Sequence, residues 1–243
     1  MRIEDVAIGC AVSLAVGALF WPRGAAGALR QALAEAYADC AAYLRAAAES
    51  GAGDAAADAV GAARTRAAAA ARRLDDAFRE YLAERGNKRL SLAQVASLLT
   101  GVAGLRLTAD AVSALWADAG PAPVEAPRAQ LELVVTTERV TNWFAAMAQA
   151  ITGSGAVPHA LPRDRGSAVR LVEALREDLR AAPAPDAAVR AQTVRLEWTC
   201  DHVDAARRLQ DLVQEAARTA ADGPAARPAD GPTGRVPAGT APP

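Results

Sequence analysis

Apolar positions along the chain divide it into three parts: an uncharged opening run, a long stretch with helical spacing, and a tail without any period. From Ala25 the apolar residues step by three and four. Leu29, Leu33, Ala36, Cys40, Leu44 and Ala47 form one stripe of a helix reaching about Glu49. The glycines of Glu49–Asp54 mark a turn, and Asp54 is placed to N-cap a second helix running to about Glu84. Its predicted stripe is Val60, Ala67, Ala71, Leu74, Phe78 and Leu82, opposed by Arg64, Arg72, Asp76 and Arg79. Gly86 or Asn87 suits a left-handed C-cap, so the first two helices form an antiparallel hairpin.

A third helix starts at an N-cap on Ser91. Leu90–Leu105 carries no charge for 16 residues, but Ser91, Gln94, Ser97 and Thr100 favour a central bundle helix over a membrane span. This helix extends through Val112 and Trp116 to the proline-rich break "DAGPAPVEAP". Leu133, Thr137, Val140, Phe144, Met147 and Ile151 give the fourth helix the cleanest period in the chain. After a loop over Thr152–Gly166 comes a shorter fifth helix with Ala168, Val172, Leu175 and Leu179 inward. The sixth carries Val189, Leu196, Cys200, Val203, Ala206, Leu209, Val213 and Ala216. Residues 222–243 are rich in Pro, Gly and Ala without periodicity, and are expected to be disordered. No strand-like alternation is present, so the predicted fold class is all-α, with 25–221 as a bundle of about six long helices.

The opening run, Val6 to Trp21, is 16 residues without a charge. Alone it would reach roughly 24 Å as a helix, short of the bilayer's hydrocarbon core of about 30 Å, but Ile3 and the flanking turns make it adequate. A secretory signal fits poorly: "MRIED" is not a basic leader, and Phe20 and Trp21 stand where a cleavage site needs small residues. A buried core helix is a second reading. The transmembrane reading is favoured because Trp21 lies at the interface position, Pro22 interrupts the helix, and Arg23 and Arg30 follow on the side expected to be cytoplasmic. Gly9, Ser13 and Gly17 recur every four residues, a face of small residues along which a second membrane helix can approach closely. Residues 1–24 are thus predicted as a transmembrane helix, with Gly9, Ser13 and Gly17 as packing positions and Trp21 and Pro22 as interface positions.

Composition narrows the function. The chain is 52% hydrophobic but 4% aromatic, with 27 basic against 28 acidic residues, so whole-surface binding to nucleic acid has no support. Three scattered cysteines argue against a disulfide framework and fit a reducing compartment. No catalytic set emerges. Cys200 and His202 in "TCDH" lie two apart on a helix, about 200° from each other, and cannot jointly grip a metal. Cys200 reads as a small core residue and His202 as solvated. His159 is an isolated loop residue, and "GSG" at 153–155 lacks the strand and lysine of a phosphate loop. Asp75–Asp76, Glu177–Asp178, Arg72–Arg73 and Arg207–Arg208 read as solvated charges, with weak attraction of the arginines to anionic headgroups if they face a membrane. No enzyme activity, catalytic residue, metal or cofactor is expected.

The stretch "RIEDVAIGCAVSLAVGALFWPRGA" resembles the last membrane helix of the fusaric-acid-resistance-like (FUSC), or aromatic acid exporter, family. The resemblance rests on Arg2, Asp5, Ile8, Gly9, Trp21 and Pro22, and continues into "ALRQALAEAYADCAAYL", similar to the start of that family's cytoplasmic helical domain. It covers about the first 45 residues; the rest agrees in being a long-helix bundle. It implies export of small aromatic or organic acids without a nucleotide site. The several membrane helices that precede this one in the family are not in this sequence. The chain is therefore expected to be the C-terminal part of such a transporter: a truncated product, a misassigned start or one piece of a split protein. Its expected partners are the lipid bilayer and other transmembrane helices, from upstream sequence or a second chain, with a homo-oligomer left open. Its expected location is the cell membrane, with the bundle in the cytoplasm. The alternative is a single-pass, membrane-anchored helical scaffold.

Overall fold

The computed structural model describes residues 24–51, 57–84, 90–117, 126–181 and 187–221. The predicted membrane helix with Gly9, Ser13, Gly17, Trp21 and Pro22, the tail 222–243, and the cap positions Asp54, Gly86 and Asn87 lie outside the described residues. The described residues form six helices and no strand: α1 (Ala25–Gly51), α2 (Ala57–Ala83), α3 (Leu92–Ala117), α4 (Pro127–Ile151), α5 (Arg165–Ala181) and α6 (Ala187–Ala221).

Local chemistry sets several of these ends. Ser91 and Gln94 close a capping box at the start of α3: the Gln94 N–H donates to Ser91 Oγ at 3.2 Å, and the Ser91 N–H donates to Gln94 Oε1 at 2.7 Å. Pro127 stands in the first turn of α4, where its missing N–H costs nothing.

Helices α1, α3, α6 and α4 pack in a ring, each against the next. Helix α2 lies on the outside of α1 and touches α3, while α5 covers α4 and touches α6. The α1 stripe from Leu29 to Ala47 is buried throughout. So is the α4 stripe, apart from half-buried Ile151 at its end. On α6, Leu209 alone of the predicted stripe is half-buried. Polar groups stitch the ring together. The Tyr37 hydroxyl donates to the Leu98 carbonyl (2.7 Å), the Tyr43 hydroxyl donates to Asp110 (3.0 Å), and Arg45 donates to Thr141 Oγ1 (3.0 Å). Burial drives the Tyr37 phenol well above its ordinary range and raises that of Tyr43.

Two helices depart from their predicted faces. On α2 the buried line is Ala63, Ala67, Ala70, Leu74, Ala77 and Tyr81, while Leu82 is 47% exposed. The large aliphatics drew the predicted stripe towards Leu82, yet a row of alanines allows α2 to lie close on α1, and Tyr81 turns inward because its hydroxyl reaches the Leu90 carbonyl. On α5 the buried residues are Leu171, Ala174, Leu175 and Asp178, while Ala168 is exposed.

Helix α3 is, among the described residues, the one helix long and apolar enough to cross a membrane. Val95, Leu98, Val102, Leu105, Ala109 and Val112 are buried, and the helix packs against α1 and α6. Arg106 and Asp110, 3.7 Å apart, stand on the same helix.

Candidate functional site

The apolar interior is split. A large cluster joins α1, α2, α3 and parts of α4 and α6; a smaller one joins Ala126, Ala129 and Leu133 to α5 and to Leu196 and Cys200. Half-buried Trp116 touches both and donates from its indole N–H to Thr199 Oγ1 at 3.1 Å. A cleft of about 410 Å³ opens between α4, α6 and the connection that leads into α5.

That connection, residues 152–164, is tied down along its length. The Trp143 indole N–H donates to the His159 carbonyl at 2.7 Å. Gln214 Nε2 donates to the Pro158 carbonyl at 2.9 Å, and the Leu161 N–H donates to Gln210 Oε1 at 3.0 Å. Arg218 approaches His159 Nδ1 at 2.8 Å and adds a contact between α6 and the connection. These bonds press Leu161 and Pro162 onto the bundle and bring Arg163 and Asp164 to the rim of the cleft.

The cleft floor is apolar, with Val140 of α4, Cys200 of α6, Leu161 and Pro162. Burial pushes the Cys200 thiol up to about 11, so it stays protonated and contributes an uncharged wall. The rim is charged, with Arg139, Arg163, Arg207, Asp164 and Asp204. Asp204 lies between Arg207 and Arg208, 2.6 Å from each. Asp164 is 2.8 Å from Arg170, whose hydrogen-bonded guanidinium holds its carboxyl below the usual carboxylate range. Among the described residues, two buried side-chain polar atoms have no hydrogen-bond partner: Thr137 Oγ1 on α4, and Nε2 of Gln210, the residue that anchors Leu161.

Some polar residues read from the sequence stand differently in the fold. Arg207 is not solvated: its side chain is 11% exposed and lines the cleft. Asp178 is 5% exposed; it accepts the Ala129 N–H at 3.0 Å and lies 3.6 Å from Arg128, capping the start of α4 from a neighbouring helix. His202 is half-buried, its Nδ1 2.7 Å from the Trp198 carbonyl and its ring stacked on Trp198. Cys200 points to the cleft floor instead, so the two do not converge. The cleft itself had no sequence signature, because its walls lie dozens of residues apart; the proline of "ALPRDRG" was the one local hint of a fixed loop.

No curated protein and no solved structure matches the chain. The sequence model of the fusaric acid resistance protein family matches residues 1–240, nearly the whole chain and well beyond the opening motif. The chain belongs to the fusaric acid resistance protein family, a family of efflux-type membrane transporters.

Proposed function

We propose that the chain serves in the efflux of small aromatic or organic acids, with residues 1–24 as a membrane helix and the helical bundle as its cytosolic module. The observation that carries this reading is the family match over residues 1–240. Two features support the arrangement. The order Arg2, Asp5, Ile8, Gly9, Trp21, Pro22 resembles the family's exit from the membrane, and α1 begins at Ala25, three residues after Pro22. In this reading the Gly9, Ser13 and Gly17 face packs against further membrane helices, supplied by the same protein or by another chain, and Trp21 anchors the interface. The transport path belongs to that assembly. The bundle remains on the cytosolic side.

Loss of the gene should lower the concentration of fusaric acid that arrests growth and raise the radiolabelled acid retained by loaded cells. Unchanged retention would refute the transport reading. Orientation is tested separately with a single cysteine introduced at Asp58 on α2: a membrane-impermeant maleimide should label it in inverted vesicles and not in intact cells. Labelling in intact cells would place the bundle outside.

A further inference from the structure

We infer that the outward face of α3, with the neighbouring strip of α6, is an interface between two copies of this chain. The inference stands on the bundle alone and does not depend on the transport reading.

Three observations converge on it. The first is composition. Among the 26 residues of α3 only Arg106 and Asp110 are charged. A helix apolar on every side is normally covered on every side, yet the described neighbours cover only its inner side. Leu92, Ala96, Ala103, Leu107 and Ala114 are exposed, Leu107 by 66%. They step by four and seven, so they share one arc of about 60° on the helix.

The second is extent. Helices α3 and α6 run antiparallel: Leu209 lies against Gly104, Val213 against Gly101, and Thr199 bonds Trp116. The apolar strip continues onto α6, where Trp198 and Leu212 are exposed and Ala205 and Leu209 half-buried along the edge that borders α3. Helix α3 is about 39 Å long, lies about 8–10 Å from α6, and each helix is about 10 Å wide, so the joint face measures roughly 700 Å². Monomers rarely expose so large an apolar patch, and a specific interface takes about 800 Å² from each partner.

The third is charge. Arg64 and Arg106 share Asp110, at 3.8 and 3.7 Å, so the rim on the α2 side is basic. The rim on α6 carries exposed Glu197, Asp201 and Glu215, with no described basic group within 4.0 Å of any of them. Its Arg208 is held 2.6 Å from Asp204. This acidic rim repels anionic headgroups, which disfavours a lipid surface as the cover.

Symmetry then fixes the pairing. A two-fold axis along the helices, between α3 and α6, lays α3 of each copy on α6 of the other. The four facing helices are antiparallel to their neighbours, and each basic rim lies over an acidic one. A two-fold axis across the helices would set acid over acid. The apolarity that makes α3 resemble a membrane span serves a protein contact instead.

Sedimentation equilibrium on the full chain in detergent tests the pairing. A dimer is expected. Leu107→Glu should raise its dissociation constant by at least about ten-fold, because each dimer loses two buried leucines. Leu131→Glu, at a position 62% exposed on α4, should leave it unchanged. Both positions are exposed, so neither change threatens the fold. Thr100, Leu107 and Ala114 recur every seven residues along the edge of the strip beside α6, next to the axis. In a Cys10→Ser background, Thr100→Cys, Leu107→Cys and Ala114→Cys should each form a disulfide with its own counterpart under mild oxidation; a two-fold axis across the helices permits this at one position at most. A monomer at every concentration, a dimer indifferent to Leu107→Glu, or self-cross-linking at fewer than two of the three positions would each overturn the inference. Brominated lipid separates a bilayer from a second copy: a bimane on Leu107→Cys that it quenches in nanodiscs assigns the face to lipid and overturns the pairing, and an unquenched one supports it.

Discussion

Replacing Gly101 by alanine sets local helix preference against tertiary packing. Gly101 lies in the middle of α3, where alanine in an open position would gain about 1 kcal/mol from helix propensity. The neighbours reverse the sign. A Cβ at Gly101 would come well inside 3.0 Å of both the Tyr37 hydroxyl and a methyl of Val213, on α1 and α6. Neither can withdraw freely, since Tyr37 is fully buried and bonded to the Leu98 carbonyl, and Val213 is also fully buried. Overpacking of this kind costs about 1–3 kcal/mol. If Tyr37 yields, its buried hydroxyl loses its partner at about 1–3 kcal/mol more. Set against the propensity gain, the net loss is about 0–2 kcal/mol if Tyr37 holds and about 1–5 kcal/mol if it yields, and a 3 kcal/mol loss corresponds to about 6–12 °C in Tm for a chain of this size. Gly61 on α2 is the control, because a Cβ there meets nothing within 4 Å. Gly61→Ala should stabilise by about 0.5–1 kcal/mol, or about 1–4 °C. Thermal unfolding followed by circular dichroism on the full chain in detergent reads both. A Gly101→Ala protein at least as stable as Gly61→Ala would refute the close approach of α1, α3 and α6.

Two further outcomes follow from buried polar groups. Asp178→Ala should cost about 2 kcal/mol in chemical denaturation, because it leaves the buried Ala129 N–H without its acceptor, whereas Asp178→Asn keeps an oxygen there and should lose about half as much; equal stability of all three proteins would remove the cross-helix cap. The Cys40 thiol is pushed up to about 12 and Cys200 to about 11, both chiefly by burial, from an ordinary value of 9.0. The folded state thus keeps protons that the unfolded chain releases. In a Cys10→Ser background, these thiols should react with iodoacetamide far more slowly at pH 8 than in urea, and stability should fall as pH rises from about 9 towards 12. Rapid labelling of the native protein at pH 8 would contradict their burial.

The sequence was informative wherever large apolar residues marked a face. The α1 and α4 stripes were legible because Leu29, Leu33 and Leu44, or Leu133, Phe144 and Met147, carry enough hydrophobic contrast to set the phase. The same rule misled on α2. Its contact face is mostly alanine, which is equally at home inside and outside, so Leu82 and Phe78 pulled the reading sideways. On α5 the inward Asp178 looked like one half of a solvated acidic pair. Nothing within a turn of it shows that the N-terminus of α4 lies opposite.

Sequence alone determined that the described residues are helical and where those helices break, and it set the uncharged opening run Val6 to Trp21 apart from them. Those properties depend on neighbours within a few positions: three- and four-residue periods, glycine and proline breaks, and Ser91 with Gln94. The family match gave that opening motif its context. Tertiary structure decided what depends on contact across the chain. It set which alanines of α2 are buried, which aspartate caps α4, and how Arg139, Arg163 and Arg207 gather around an apolar floor. Local preference cannot encode that gathering, because the energy of each such contact depends on a partner dozens of residues away, and only packing brings the two together.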